Sequence, residues 1–315
     1  MLNSEDKQWI DQLVCDPWQN LNDHILDSEE KSPYNDLISV QGGCSLLVND
    51  NSVHLVDVGI KIRDSLRAIW YYVNKLNKPL TCIFLSHKQA ETQHFLEHYQ
   101  YLQYHDPDRF NFQLVCHQKN GPLAMKSTFY GLVQDEEFIK LDGRSYFLAK
   151  APGHSQRGDH MVIMEMKNKI LFFGTLLQPQ GESYEYCTFI TPISNHFNPD
   201  LVYRSILFLK SLPFEAGISL HGELLDHSRT YRWMEITQKI IERTSHYVRK
   251  SIWESKPTEN ELEHFRELAR EVYLQLAIER NLDLDVAYKR LNDDEDSFER
   301  FDRPMINFFI RKFQS

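Results

Sequence analysis

A chain of 315 residues can bury a large core and hold one large α/β domain or two smaller ones. Its 42% hydrophobic and 25% charged content is ordinary for a globular protein. The formal net charge of -10, with no run of Lys and Arg, argues against nucleic acid as a partner, because phosphate neutralisation needs clustered cations.

The opening Met1-Leu2-Asn3-Ser4-Glu5-Asp6-Lys7 lacks the apolar core of a secretory signal, and no apolar stretch approaches membrane-spanning length. The five cysteines (Cys15, Cys44, Cys82, Cys116 and Cys187) are odd in number, far apart and without a Cys-x-x-Cys pair. That pattern gives no support to a thiolate metal site and leads to an expected cytoplasmic location with reduced thiols.

In chain order, Ser45-Leu46-Leu47-Val48 and Val53 to Gly59 are predicted as paired strands joined at the turn Asn49-Asp50-Asn51. Between Ser65 and Leu76, apolar Leu66, Ile69, Trp70, Val73 and Leu76 fall at helical spacing. Leu80 to Leu85 is a continuous apolar run, as in a strand buried on both faces. Gln89 to Tyr101 returns to helix and Phe112 to Cys116 to strand, an alternation that predicts a layered α/β architecture. On the second helix His94 and His98 share a face, but no Glu lies between them, and they are expected to be ordinary helix surface.

The middle of the chain, roughly Phe138 to Thr191, is richer in strands. Arg144 to Lys150 and His160 to Met166 flank the loop Pro152-Gly153-His154, and Lys169 to Phe173 follows the Lys167-Asn168 turn. A helix around Pro199 to Leu212 and a short strand from Ala216 to Leu220 come next. Beyond Asp226 the pattern becomes charged amphipathic helix. Thr258-Glu259-Asn260-Glu261 is a capping box opening a helix with Leu262, Phe265, Leu268, Val272 and Leu276 on one face. A last helix carries Met305, Ile306, Phe308, Phe309 and Phe313. The expected division is therefore a main domain over residues 1–226 and a helical region over 227–315 packed on it.

Five short segments follow these strands: Leu55-Val56-Asp57-Val58-Gly59, Leu85-Ser86-His87-Lys88-Gln89-Ala90-Glu91-Thr92, Ala151-Pro152-Gly153-His154, Phe172-Phe173-Gly174-Thr175 and Ser219-Leu220-His221-Gly222-Glu223. In order and context they resemble the strand-end loops of the metallo-β-lactamase superfamily, over about Val40 to Glu223. The helical tail and the pair Asp159-His160, which is expected to line the pocket, resemble its quinolone-signal-response thioesterase branch. The resemblance implies an αββα sandwich with a C-terminal helical extension and a dinuclear metal site at the strand ends.

Compared with the superfamily pattern, His87, His154 and His221 keep the ligand type, Glu91 stands for an Asp, and Gln89, Thr92 and Thr175 lose it. Thr175 takes the place of the carboxylate that would bridge both ions. Divalent ions about 3.5–4 Å apart repel by on the order of 16 kcal/mol at an effective dielectric near 20. Only Glu91 offers a negative charge to offset this, and Gln and Thr are poor ligands for zinc. A two-metal centre is therefore not expected. The cofactor expectation is either none or one divalent ion, Zn or Fe, on His87, His154 and His221.

Two functions follow as expectations. One is a non-catalytic or weakly active regulatory protein that binds a small molecule or a protein partner, with the C-terminal helices as a route to a homodimer. The alternative is a mononuclear hydrolase of a thioester, ester or lactone, with Glu91 as general base towards water.

Overall fold

A computed structural model describes residues 3–15, 33–40, 44–58, 62–87, 90–117, 129–132, 136–154, 160–177, 198–219, 224–254 and 303–314, with isolated helical positions at 271, 274 and 278. The chain divides into two compact units. The first comprises Met1–Lys150, Asp159–Gly174 and Pro213–Thr230; the second comprises Ala151–Gly158, Thr175–Leu212 and Tyr231–Ser315. The capping box at Thr258 and the helix it opens lie almost wholly outside the described residues.

The first unit holds two six-stranded mixed sheets. One has the order β1 (Leu37–Val40), β2 (Cys44–Val48), β3 (Val53–Val56), β4 (Leu80–Leu85), β5 (Gln113–His117) and β6 (Phe129–Leu132). Its first two pairings are antiparallel and the rest parallel. The other runs from β12 (Leu224–Asp226) through β11 (Ala216–Ser219), β10 (Ile170–Gly174), β9 (Met161–Glu165) and β8 (Arg144–Lys150) to β7 (Glu136–Leu141). All its pairings are antiparallel except β10 with β11. The predicted hairpin at Asn49-Asp50-Asn51 is present, with Val48 opposite Val53.

Alternation along the strands divides the core into two layers. The row Leu55, Ile83 and Leu114 turns towards the helices α1 (Ser4–Cys15), α2 (Ile62–Leu76) and α3 (Ala90–His105). There it meets Leu66, Ile69, Trp70, Phe95 and Tyr99, and Trp70 stacks on Phe110 at 5.0 Å. The next row, Val56, Phe84 and Val115, turns the other way and packs on Tyr146, Leu148, Ile163 and Phe172 of the second sheet. The run Leu80–Leu85 is apolar except for Thr81, because it faces both layers.

Two features of this unit were not anticipated from the sequence. The first is α1, whose Ile10 and Leu13 join the helix-side core. It covers part of α3, so His98, expected at the surface, is 1% exposed and faces Asp6. The second is an ion network at the turn ends of the sheets. Arg144 donates to Asn49 Oδ1 (2.7 Å), Asp36 Oδ2 (2.7 Å) and the Val48 carbonyl (3.0 Å), and lies 3.6 Å from the fully buried Glu165. The hairpin before it turns at Asp142 and Gly143, both at positive φ (47° and 82°), as a two-residue Asp-Gly turn requires.

The second unit contains α4 (Pro199–Lys210), most of α5 (His227–Glu254) and α6 (Arg303–Gln314). Each buries a stripe at helical spacing: Val202, Ile206 and Leu209; Trp233, Met234, Ile241 and Val248; Ile306, Phe309 and Ile310. Polar bonds cross between them, from Tyr203 to Glu242 (2.6 Å), from Lys210 to Gln238 (2.7 Å) and from Lys312 to Asp200. Among the described residues, no helix is long and apolar enough to cross a membrane.

Candidate functional site

In the first unit the chain leaves β3 through Asp57, whose backbone is left-handed (φ 58°). This turn aims the buried carboxylate at the next strand, where Oδ1 accepts the Ser86 N–H at 2.8 Å. Burial pushes the Asp57 carboxyl up to about 6, against the opposing pull of the Ser86 hydrogen bonds. Ser86 then serves both sheets: its carbonyl accepts the Met161 N–H at 2.7 Å, and its hydroxyl lies 2.9 Å from His87 Nδ1. His87 stacks on His160, with centroids 5.2 Å apart.

Gly174 closes this cluster at the end of β10. Its φ is +55°, and a Cβ there would lie 2.4 Å from Ser86 Oγ and 3.0 Å from His160 Nε2. Only glycine satisfies both the backbone and the approach. The first unit thus brings together Asp57, Ser86, His87, His160 and Gly174 at one end of its sheets. The link from Asp57 to Ser86 has no spacing signal, since it depends on strand register.

In the second unit, the Pro152-Gly153-His154 loop is fastened to the start of α4. The Asn198 side chain caps that helix by accepting from Leu201 N–H (3.1 Å), while its own N–H donates to the Gly153 carbonyl (2.9 Å). Ser205 Oγ donates to the Pro152 carbonyl (2.8 Å). Gly153 has φ +121°, and a Cβ would meet Val202 N at 2.4 Å. His154 is fully buried, and burial pushes its imidazole down to about 4. It is therefore neutral at pH 7, the state in which an imidazole offers a lone pair. Thr175 is buried as well and carries no charge.

Glu91 and Thr92 lie in the first turn of α3, and their side chains are outside the described residues. Gln89, Asp159 and His221 are wholly outside them. Of the predicted candidates, the structure brings His87 and His160 together.

Thr175 is a neutral hydroxyl, and Asp57 is already engaged by the Ser86 amide. A separate cleft of about 930 Å³ opens at the turn ends of the sheets, lined in part by Tyr34, Asp36, Asn49, Arg144 and Lys167. Its charges hold the fold together. Burial alone would raise the Asp36 carboxyl, but hydrogen bonds from Lys167 and Arg144 bring it below the usual carboxylate range.

No protein-family model and no curated protein matches the sequence. Solved structures do match. The chain is similar to the stereoselective inverting sec-alkylsulfatase Pisa1 from Pseudomonas sp., with a TM-score of 0.58 and 10% identity over 76% of this chain and 44% of that one. It is also similar to the chemotaxis sensor ODP, described with a peroxy diiron species, with a TM-score of 0.50 and 12% identity over 66% and 92% of the two chains. A metallo-β-lactamase from Hirschia baltica aligns with a TM-score of 0.49 and 16% identity over 62% and 84%. At these identities the likeness is one of fold. Paired mixed sheets, flanking helices and the two matches at TM-scores of 0.58 and 0.50 lead to one conclusion: the chain has the metallo-β-lactamase fold, with a helical C-terminal region.

Proposed function

We propose that this protein uses the strand-end residues of the metallo-β-lactamase fold to bind a small molecule or a protein partner in a regulatory role, without two-metal hydrolysis. The observation that carries the reading is Thr175, a buried neutral hydroxyl directly after the left-handed Gly174, where the resemblance expects a bridging carboxylate. Without that charge, the repulsion between paired cations has little to offset it. The chemotaxis sensor, at a TM-score of 0.50, is a solved example of sensing by a similar fold.

A second reading, a mononuclear hydrolase of a thioester, ester or lactone, is favoured by the neutral buried imidazole of His154. An imidazole-bound ion would polarise the carbonyl and activate water. Glu91 would take the proton from that water.

Elemental analysis of protein purified without added metal, on the parent and on a His87→Ala/His154→Ala variant, separates the outcomes. A loss of two ions per chain, together with hydrolysis abolished by His154→Ala, overturns the proposal. No loss of metal, with no turnover across an acyl thioester, ester and lactone panel, supports it. One ion lost with turnover lost establishes the hydrolase in its place.

A further inference from the structure

We propose that Asp6, His94 and His98 form a site for one divalent transition-metal ion of the zinc class, clipping α1 to α3. It shares no residue with the strand-end cluster. His94 and His98 are four residues apart on α3, so both imidazoles project from one face. Their rings stand at 90° with centroids 4.5 Å apart. Across from them, Asp6 places Oδ2 at 3.6 Å from His94 Nε2 and Oδ1 at 3.6 Å from His98 Nε2. Among the described residues these are the one group of three metal-ligating side chains whose donor atoms all lie within 4.8 Å of one another.

The spacing suits ligands better than hydrogen-bonded partners. At 3.6 Å the imidazoles are too far from the carboxylate for a hydrogen bond. Tetrahedral zinc, with bonds of about 2.0–2.1 Å, holds its ligand atoms roughly 3.3–3.4 Å apart. Closing each Asp6–histidine distance by a few tenths of an ångström, and drawing together the two imidazole donors, which lie within 4.8 Å, is within the reach of side-chain torsions.

The tautomer is also prepared. His98 Nδ1 lies 2.8 Å from the His94 carbonyl, so the proton resides there and Nε2 carries the lone pair. That Nε2 is buried with no hydrogen-bond partner among the described residues, and its ring is 1% exposed. A ring N–H held by a backbone carbonyl is the usual outer support of a metal-bound histidine. His94, with its side chain 45% exposed, leaves a route for the ion and a fourth position for water.

Arg63 is the competing cation. Its guanidinium lies 3.3 Å from Asp6 Oδ1 and 3.0 Å from Glu5, which leaves Asp6 Oδ2 for the ion. The helix α1 is seated independently by Ile10 and Leu13, so the apolar contact sets up the ligand geometry before any ion arrives. The ion would then fix α3, the helix whose first turn carries Glu91 and Thr92.

The test is a Co(II) titration of metal-free full-length protein, read by visible d–d absorption and followed by displacement with Zn(II). The same titration is run on His94→Ala, Asp6→Asn and His98→Ala, and on His87→Ala/His154→Ala. The parent and the His87→Ala/His154→Ala variant are expected to bind one equivalent with the absorption of a tetrahedral N/O site, and Zn(II) is expected to raise Tm in both. Affinity should fall by about 100-fold or more in His94→Ala and Asp6→Asn, at least the loss caused by removing an outer-shell partner. His94 is partly exposed, so its variant decides the matter if His98→Ala fails to fold. Unchanged affinity in His94→Ala and Asp6→Asn, or no binding by the parent, overturns the proposal.

Discussion

His87 and His160 lie with their rings 29° from parallel and their centroids 5.2 Å apart, both buried at the end of the first unit's sheets. Ser86 and His160 together leave space at residue 174 for a hydrogen atom only. Gly174→Ala should therefore cost roughly 2–5 kcal/mol, combining the left-handed backbone penalty with overpacking. Urea denaturation checks this, and a loss under 1 kcal/mol would mean that the strand end relaxes easily.

The loop bearing His154 depends on Asn198. Asn198→Ala removes the cap of α4 and should cost about 1 kcal/mol. The backbone bond from residue 198 to Gly153 survives that change, so the loop should stay in place. Gly153→Ala strikes the loop directly, at positive φ and 2.4 Å from Val202 N, and should cost several-fold more. Chemical denaturation of the two variants side by side gives the ranking, and equal losses would contradict it.

Arg144 joins buried Glu165 to Asp36 and Asn49, so its removal leaves a carboxylate in the core without its cation. Arg144→Met should destabilise by about 3–5 kcal/mol. Adding Glu165→Gln removes the orphaned charge and should recover part of that loss. The Glu165 carboxylate also accepts from the Lys167 and Asn168 amides, so recovery is incomplete. A double variant no more stable than Arg144→Met would place the cost elsewhere.

His54 supplies a pH dependence. It is wholly buried between Tyr146 and Asp142, and burial pushes its imidazole below the ordinary value despite the pull of the Asp142 carboxylate. The folded state thus binds this proton less readily than the unfolded chain. Its contribution to stability is fully present above the unfolded pKa near 6.5 and is lost as pH falls below it towards the lower folded value. Tm should fall between pH 7.5 and 5.5, and the fall should be smaller in His54→Asn. An equal slope in both proteins would remove His54 from the account.

Much of the fold was legible because local patterns carried it. The apolar run Leu80–Leu85, the helical spacing from Leu66 to Leu76 and the turn at Asn49-Asp50-Asn51 each became the element they predict. Helix α1 escaped because its few apolar residues, Trp9, Ile10 and Leu13, mean little until α3 lies against them. For the same reason His98 was misread: an i, i+4 histidine pair looks alike on a bare or a covered helix face, and Asp6 is distant in the chain.

By itself, the amino-acid order determined many of the strands and helices and which side chains follow those strands, since periodicity and turn chemistry act over a few residues. The tertiary structure alone decided that Asp57 reaches Ser86, that His160 lies on His87 and that Asp6 faces two imidazoles. Those meetings depend on register and helix docking, which are set by burial of apolar surface far along the chain from the groups brought together.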